Sequence, residues 1–307
     1  MTEAVETVWK RAVWQSRQMG VYMIKLILWI VGILILFMIG VMVYDTHRFV
    51  TKEMTLQSKK IKRNTTVAVL SDLHNKVFGE DNCKLLAAIE QAQPDLILIA
   101  GDMLNAHPGT DFGQTAALLK KLADKYKVIY GIGNHEHRLE LYPEVYGSMY
   151  QDYWKAVKHE NIIHLVNEKI EFNQTGICIY GSQIDKRFYK RFKVQHMEEE
   201  YLKKLLGEPK EEYFNILIAH NPDYFEKYAD WGADFVLSGH VHGGIVRLPF
   251  LGGVLSPACR LFPKYDGGIF KSGKCTMLLS RGLGTHTIPV RLFNPGELHI
   301  VHLKAER

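Results

Sequence analysis

The sequence contains little cysteine, and its cysteines are far apart. Its 307 residues include four, at positions 83, 178, 259 and 275, and none of them forms a CxxC pair. This spacing excludes a zinc knuckle and a disulfide-stapled scaffold, and it does not indicate a redox compartment. Internal repeats and low-complexity segments are also missing, so we do not expect a repeat architecture or extended disorder.

A strong charge of either sign is missing as well. The 38 basic and 33 acidic residues leave a net charge of +5 and a pI near 8.8. This mild excess suits phosphates or lipid headgroups, but without a long basic stripe it predicts no nucleic-acid partner. Hydrophobic residues make up 47% of the chain, which is enough for the core of one large domain or two small ones.

One long apolar run lies near the N-terminus. Leu26–Tyr44 is an unbroken run of 19 residues, with Lys25 before it and Asp45 after it. At about 1.5 Å per residue the run spans roughly 30 Å, the hydrocarbon thickness of a bilayer. A cleaved signal peptide has a shorter apolar region and a small-residue cleavage site, which residues 43–47 lack. We predict one transmembrane helix at 26–44, with a buried core helix as the alternative.

Basic residues lie on both sides of this run. Those before it are Lys10, Arg11, Arg17 and Lys25, and those after it are Arg48, Lys52, Lys59, Lys60, Lys62 and Arg63. The positive-inside rule leans toward a cytoplasmic location for the residues after the run, whereas a signal anchor would place them outside. The sequence therefore predicts a single-pass membrane protein and leaves its orientation open.

Apolar runs of strand length recur from Thr65 onward. They lie at residues 67–70, 96–100, 128–130, 177–180, 216–219, 235–237 and 277–279, and helix-length stretches at 81–93 and 112–127 separate the first three. Buried strands alternating with covering helices predict an α/β fold. We predict a globular domain at 65–307, an N-terminal tail at 1–25, and a juxtamembrane linker or first strand at 45–64.

Polar side chains follow five of these runs, where each predicted strand ends. The segments are Ser71-Asp72-Leu73-His74, Gly101-Asp102, Gly133-Asn134-His135-Glu136, His220-Asn221-Pro222 and Gly239-His240-Val241-His242-Gly243-Gly244. Each segment alone is well explained as a polar turn, but an open α/β sheet binds ligands at the carboxyl ends of its strands. In Asp-x-His and His-x-His, alternate residues of an extended segment project the same way, so we expect each pair to converge on one ion.

The residue types in these segments indicate the chemistry. Carboxylate, imidazole and amide oxygen suit Mn²⁺, Fe or Zn²⁺, and no thiolate occurs among them. Two ions about 3.5–4 Å apart need a bridging carboxylate, and together they polarise a phosphoryl oxygen and activate a water. Glycines beside the candidate ligands permit close backbone approach. We therefore expect two divalent metal ions, with Mn²⁺ preferred, and a phosphorylated substrate.

Together, these segments resemble the motifs of the calcineurin-like metallophosphoesterase superfamily, over about residues 66–303. Segments 243–249, 262–268, 280–284 and 289–294 are similar to a membrane-associated bacterial branch with YkuE- and YaeI-type phosphoesterases and chlamydial-type UDP-2,3-diacylglucosamine hydrolases. The resemblance implies a four-layer α/β/β/α sandwich preceded by one transmembrane helix. It also implies two sets of metal ligands bridged by one aspartate. The sets are Asp72, His74 and His242 for one ion, Asn134, His220 and His240 for the other, and Asp102 for both.

The same resemblance gives His135 a catalytic role. His135 would donate to the scissile phosphate or to the leaving oxygen. Two positions depart from the family pattern: Asn105 stands where many relatives have an acid, and Ile245 stands where a glutamine is common. Neither departure falls on a predicted metal ligand, so they bear on rate and specificity rather than on reaction type.

Residues 186–193 combine five cations with three aromatics. Phe188 and Phe192 are four apart, so on a helix they would share a face beside Lys190 and Arg191. We interpret the segment as an interfacial cap that places aromatics among lipid headgroups and cations on lipid or substrate phosphate, with a solvated insertion as the equal alternative. Candidate bidentate phosphate clamps elsewhere are Arg247, Arg281 and Arg291.

The sequence thus predicts a membrane-anchored, metal-dependent hydrolase of phosphoester or pyrophosphate bonds. The resemblance and the apolar run favour a lipid-linked substrate, namely a nucleotide-linked glycolipid such as UDP-2,3-diacylglucosamine. A phosphodiesterase or phosphomonoesterase acting on a soluble substrate is the alternative with the same site. An inactive membrane-tethered scaffold is a third possibility, which the complete set of candidate ligands disfavours.

Overall fold

The protein divides into two compact units, residues 1–44 and 45–307, in a computed structural model. The structure describes residues 2–190, 192–244, 246–248, 252–255, 260–285 and 290–306. The first unit belongs to one helix, α1, Thr2–Thr46, which contains the predicted span and also makes the predicted tail helical. By length and composition α1 is a candidate membrane span.

The described residues of the second unit form three β-sheets and short helices. The strands are β1 Phe49–Ser58, β2 Thr65–Leu70, β3 Leu96–Ala100, β4 Lys127–Gly131, β5 Ile162–Leu165, β6 Glu168–Phe172, β7 Ile177–Ser182, β8 Phe214–Ala219, β9 Phe235–Ser238, β10 Val246–Leu248, β11 Gly252–Leu255, β12 Gly268–Ser272, β13 Cys275–Leu279 and β14 Gly296–Ala305. The helices are α2 Cys83–Ala92, α3 Gly113–Ala123, α4 Asn134–Leu141, α5 Pro143–Tyr146, α6 Met149–Ala156, α7 Tyr201–Leu206 and α8 Phe225–Trp231. Single 3₁₀ turns lie at Glu80–Asn82, Lys186–Tyr189 and Pro222–Tyr224.

The two large sheets pack face to face. Sheet one has the strand order β1-β14-β2-β3-β4-β5, sheet two has the order β12-β13-β9-β8-β7-β6, and β10-β11 form a separate hairpin. Between the two large sheets lies a core of aliphatic side chains that both contribute. Helices α2, α3, α4 and α6 cover the outer face of sheet one, while α7 and α8 cover the outer face of sheet two. The architecture is the α/β/β/α sandwich that the resemblance implied.

Alternation along each strand explains why both faces of the sheets are buried. In β2, Val67 and Val69 enter the core between the sheets, whereas Ala68 and Leu70 enter the core under the helices. In β8, Ile216 and Ile218 face the other sheet, and Leu217 faces α7 and α8. Successive side chains of a strand point to opposite faces, so a continuous apolar run satisfies both layers.

The segment between the apolar run and the predicted domain differs from a linker. Residues 49–58 form β1, which pairs in parallel with the whole length of β14, from Phe49 opposite Gly296 to Ser58 opposite Ala305. This pairing joins residues almost 250 positions apart, so no local pattern indicates the partner. The ordered sheet therefore starts at Phe49, and four residues, Asp45 to Arg48, separate it from the apolar run.

Candidate metal centre

The carboxyl ends of strands from both sheets meet at one crevice. Loops after β2, β3 and β4 of sheet one and after β8 and β9 of sheet two carry the predicted ligands. Potential ligand atoms lie within 4.8 Å of one another in three groups: Asp72, His74 and His242; His74, Asp102 and His135; and Asp102, His220 and His240. The first and third groups match the two ligand sets that the resemblance implied, apart from Asn134, and Asp102 belongs to two groups.

Distances within the crevice place one carboxylate oxygen of Asp102 between the two sets. Asp102 Oδ2 lies 2.9 Å from His220 Nε2 and 3.9 Å from His74 Nε2. On the other side, His242 Nε2 lies 3.3 Å from Asp72 Oδ1 and 3.1 Å from His74 Nε2. Asp102 is therefore positioned as a bridging carboxylate would be.

The backbone at five of the predicted ligands is left-handed. The φ angles are 51° at Asp72, 49° at His74, 55° at Asp102, 71° at His240 and 54° at His242. A non-glycine residue in this region costs about 1–2 kcal/mol, and such conformations concentrate at functional sites, where the surrounding structure enforces them. The expected convergence of each pair is present, but it arises from turned backbone rather than from alternation along an extended segment.

Two glycines allow the loops to approach this closely. A Cβ at Gly133 would overlap the side chain and backbone of Asp102, and a Cβ at Gly239 would overlap Asp72 and Ser71. Gly133 precedes Asn134, and Gly239 precedes His240. Any larger residue at either position would have to displace a neighbouring acid. Glycine is therefore needed here for space and not for an unusual φ angle.

Hydrogen bonds fix the orientation of the candidate ligands. His220 Nδ1 lies 2.6 Å from the carbonyl oxygen of Ala100 and donates to it, so Nε2 is directed at Asp102 with its lone pair available to a cation. Asp72 Oδ1 accepts the backbone N–H of His240 at 3.0 Å, and its other oxygen accepts the hydroxyl of Ser71. These contacts orient one predicted ligand of each set.

Asn134 supplies a direct test of whether the residues fit a metal. Its Oδ1 atom is buried and accepts no hydrogen bond from the part of the chain that the structure describes. A buried acceptor without a partner is costly, and coordination of a divalent cation satisfies an amide oxygen. With carboxylates and imidazoles on both sides, the donor set fits a dinuclear divalent metal site.

The electrostatics of the crevice also favour a cation. Burial alone would lower the pKa of His220, but the charges of Asp102 and Asp72 raise it to about 10. For Asp102, burial alone would raise the pKa, but the charges of His220 and His135 outweigh it and hold the pKa well below its usual range. Burial raises the pKa of Asp72 to about 6. A field that holds a proton on His220 equally favours a metal ion in its place.

His135 lies beside the predicted ligands with a defined tautomer. Its Nδ1 accepts the backbone N–H of Ala106 at 2.8 Å, so the neutral ring carries its proton on Nε2. Its ring centroid is 4.7 Å from that of His74. Asn105, the departure from the family pattern, instead donates from Nδ2 to the carbonyl of His74 at 3.0 Å. Ile245, the other departure, lies outside the described residues.

Glu136 supports the centre in a way that sequence reasoning missed. It is fully buried, and its two carboxylate oxygens accept four hydrogen bonds. The donors are the backbone N–H groups of Asp102, Met103 and Gly133 and the hydroxyl of Tyr130. The available signal was its place directly after Asn134-His135, since an acid at the third position of a helix can reach back to the helix start.

The predicted arginine clamps lie in different environments. Arg247 Nη1 is 2.8 Å from Asp266 Oδ2, and Arg281 Nε is 3.3 Å from Glu297 Oε1. Arg281 also approaches Gly243, the residue after His242. Arg291 is 2% exposed, and among the described residues its guanidinium donates to backbone carbonyls only, so the clamp interpretation is wrong for this residue. The guanidinium group of Arg291 holds these loops together, because each N–H of a buried guanidinium needs a hydrogen-bond acceptor.

The predicted interfacial cap is wrong in one respect. The 3₁₀ turn ends at Tyr189 and Lys190 is extended, so Phe188 and Phe192 share no helical face. Phe188 is 2% exposed and belongs to the core under α7 and α8, whereas Phe192 is 73% exposed. Lys190 is exposed, and Arg191 lies outside the described residues. The segment nevertheless borders the centre, since the ring of Tyr189 packs edge-on against His240 at 5.2 Å.

Comparison with known proteins identifies the same chemistry. The sequence model of the family described as calcineurin-like phosphoesterase matches residues 65–244. YpbG of Bacillus subtilis is 29% identical over 84% of this chain and 86% of its own length. The metallophosphoesterase YkuE of the same organism is 27% identical over 85% of this chain and 87% of its own. The phosphodiesterase YaeI of Escherichia coli is 24% identical over 71% of this chain and 75% of its own length.

The family match covers more than half of the chain, which therefore belongs to the calcineurin-like phosphoesterase family and is a metal-dependent phosphoester hydrolase.

Proposed function

We propose that this chain is a membrane-anchored dinuclear hydrolase that cleaves a phosphoester or pyrophosphate bond in a lipid-linked substrate. In this proposal Asp72, His74 and His242 hold one ion, Asn134, His220 and His240 hold the other, Asp102 bridges them, and Mn²⁺ is the preferred metal. The observation that carries the proposal is the position of Asp102 Oδ2, within 4 Å of histidines from both ligand sets.

The chain's own residues have distinct tasks in this reaction. Two divalent ions bound at this centre would supply Lewis acidity toward the phosphoryl oxygen and would lower the pKa of the attacking water. Asp102, which lies between the two ligand sets, would neutralise part of their charge. His135, which carries its proton on Nε2, donates it toward a phosphoryl oxygen or the leaving oxygen, and Ala106 keeps the ring in that tautomer.

One observation supports a lipid-linked substrate: the helix α1 is a candidate membrane span. The nucleotide-linked glycolipid comes from the sequence resemblance to UDP-2,3-diacylglucosamine hydrolases, and we propose it as the substrate on that ground. Arg281 and Arg247 both approach Gly243, the residue after His242, so we propose them as contacts to a second phosphate of such a substrate. Lys190 is a proposed contact on the Tyr189 side, and Arg191, which lies outside the described residues, is proposed from the sequence alone.

A soluble phosphodiester is the second candidate. The relative YaeI is named a phosphodiesterase, and that name does not mention a lipid substrate. The metal centre is the same for both candidates, so the substrate alone separates them.

Turnover by the full chain tests the proposal. The detergent-purified protein is stripped of metal and assayed with added Mn²⁺, Zn²⁺ or Fe²⁺ on bis-nitrophenyl phosphate, nitrophenyl phosphate and UDP-2,3-diacylglucosamine. Asp102→Asn is compared with Asp81→Asn, an acid that is 65% exposed, as a matched control. We expect Mn²⁺-dependent turnover that falls at least about a thousandfold in Asp102→Asn and is unchanged in Asp81→Asn.

The outcomes separate the candidates. A higher kcat/KM for the glycolipid than for both nitrophenyl esters supports the lipid-linked substrate. A preference for a nitrophenyl ester moves the assignment to a soluble substrate. Bound metal without turnover on any of the three would favour the scaffold.

A further inference from the structure

We propose that a cluster of exposed apolar side chains beside the metal centre docks onto an anionic lipid surface. The cluster, called the docking face, consists of Phe192, Val194, Leu261 and Phe262, flanked by Lys190 and Lys193. It deepens the proposed function and rests on it, because it names the surface through which a lipid-linked substrate would reach the metals.

The apolar members of the docking face are exposed to an unusual degree. Phe192 is 73% exposed, Leu261 69%, Phe262 63% and Val194 43%. Single exposed apolar residues are common on proteins, but a cluster that borders an active site marks a surface for a partner or a membrane.

The segment that carries Phe192 and Val194 is attached to the 3₁₀ turn Pro222–Tyr224. Asn221 Nδ2 donates to the carbonyl of Phe188 at 2.9 Å, and the hydroxyl of Tyr224 donates to the carbonyl of Gln195 at 3.0 Å. These two hydrogen bonds hold residues 188 and 195, the two ends of the segment, against one turn. The exposed side chains of Phe192 and Val194 lie between those ends.

The segment that carries Leu261 and Phe262 is attached to the same turn. Arg260 Nη2 donates to Asp223 Oδ2 at 2.5 Å. Phe262 has a left-handed backbone, φ 46°, and its N–H donates to the carbonyl of Val254 at 2.9 Å. Bulky residues rarely adopt this conformation, so the loop is held in a costly shape that presents its side chain to solvent.

The shared turn follows directly from the metal centre. His220 precedes it by two residues, and Tyr189, within the first segment, packs against His240. The first segment therefore borders the crevice in which phosphate would bind, and the second is attached to a turn that begins two residues after a predicted ligand.

The charge of the docking face suits anionic lipid. Lys190 and Lys193 are exposed, and neither forms an ion pair with any residue that the structure describes. A lysine near an anionic bilayer contributes about 1 kcal/mol, and aromatic and aliphatic side chains bury into the headgroup boundary.

Two features favour lipid over a protein partner. The unpaired cations match the negative surface of an anionic bilayer, and the chain carries a candidate span with only four residues between its apolar run and β1. A chain anchored by that span has no long linker that would let the catalytic unit leave the membrane surface.

The test places an environment-sensitive dye on the docking face of the full chain in lipid vesicles. Leu261→Cys is labelled with a nitrobenzoxadiazole dye in a chain with Cys83→Ser and Cys259→Ser, since Cys178 and Cys275 are buried. Lys120→Cys, at an exposed position of α3, is the matched control. In vesicles of phosphatidylethanolamine and phosphatidylglycerol with brominated acyl chains, we expect emission at position 261 to shift to shorter wavelength and to be quenched several-fold more than at position 120.

Further arms identify the partner. Lys193→Glu, or vesicles of phosphatidylcholine alone, should reduce the quenching at position 261. Equal quenching at positions 261 and 120 would overturn the proposal, and so would a wavelength shift without quenching by brominated lipid, which indicates a protein partner or a second copy. Turnover of bis-nitrophenyl phosphate is measured on every variant, so that failure of the metal centre is seen separately from failure of docking.

Discussion

Glu136 holds the backbone of Asp102: its Oε2 atom accepts the Asp102 N–H at 3.0 Å. The same oxygen accepts the N–H of Gly133 at 3.1 Å, and Oε1 accepts Met103 and Tyr130, each at 2.8 Å. One carboxylate therefore ties the loop after β3 to the start of α4. This contact sets the distance between the predicted bridging acid and the residues that follow β4.

Replacing Glu136 with glutamine should impair the centre without touching a ligand. The amide nitrogen of Glu136→Gln would face two N–H donors or displace the Tyr130 hydroxyl, because a neutral amide cannot accept on both ends. We expect kcat and metal affinity to fall about ten- to a hundredfold, as for other residues that orient metal ligands. The measurements are turnover and calorimetric titration with Mn²⁺. The exposed Glu140→Gln on the same helix is the control, and equal behaviour of the two variants would contradict the prediction.

The sheet strands were predictable because their signal is local. The run at 96–100 coincides with β3 and the run at 235–237 lies inside β9, since a strand buried on both faces needs continuous apolar sequence. The pairing of β1 with β14 was not predictable, because it depends on contacts between the two ends of the catalytic unit.

The sequence indicated which side chains lie close together, but not the backbone geometry that brings them together. The motifs predicted His242 beside Asp72 and His240 beside Asp102, and these pairs do lie close together, but the left-handed backbone at these residues is enforced by tertiary contacts. Phe188 and Phe192 look alike in the sequence, yet one is core and the other is exposed. The two residues differ because the 3₁₀ turn ends between them, and the local sequence pattern does not predict where that turn ends.

Arg291 should be essential for stability rather than for phosphate binding. Its Nη2 donates to the carbonyl oxygens of Arg281 at 2.8 Å and Gly284 at 2.5 Å. In the same loop, the N–H of Gly284 donates to the carbonyl oxygen of Asp72 at 2.7 Å. Arg291→Lys keeps the positive charge but loses the planar guanidinium group, so several buried carbonyl oxygens lose their hydrogen-bond donors. We expect the free energy of unfolding to fall by about 2–4 kcal/mol.

Chemical unfolding of the Arg291→Lys chain in detergent measures that cost. Arg63→Lys, at an exposed position, should change the free energy of unfolding by less than about 0.5 kcal/mol. A stable Arg291→Lys chain with a raised KM would instead restore the phosphate-clamp role.

Glu297 should make stability depend on acidic pH. Burial alone would raise its pKa, but the hydrogen bond and charge of His299, with Arg281 and Lys52, lower it from 4.5 to about 2. Because the pKa is lower in the folded chain, the stabilisation is complete above pH 4.5 and is lost as the pH falls toward 2. That shift corresponds to about 3 kcal/mol at neutral pH.

Unfolding of wild type and Glu297→Gln at several pH values tests this linkage. The destabilisation caused by Glu297→Gln should be largest at neutral pH and shrink to about 1 kcal/mol by pH 3, where the carboxylate of the unfolded chain is protonated while that of the folded chain is still mostly ionised. Glu53→Gln, at an exposed carboxylate, should show little effect at any pH. A Glu297→Gln penalty that stays constant across this range would show that packing, not charge, is what the carboxylate contributes.

Tyr189 should act on the metal centre through its ring rather than its hydroxyl. The ring packs edge-on against His240 at 5.2 Å and limits the rotation of a histidine whose backbone is already left-handed. Tyr189→Phe keeps this contact, so it should retain wild-type Mn²⁺ affinity, whereas Tyr189→Ala removes it and should weaken affinity and kcat about tenfold. Metal titration and turnover of both variants measure the difference. If Tyr189→Phe lost as much kcat as Tyr189→Ala while keeping its metal, the hydroxyl would be a direct contact to the substrate phosphate, and the ring would be secondary.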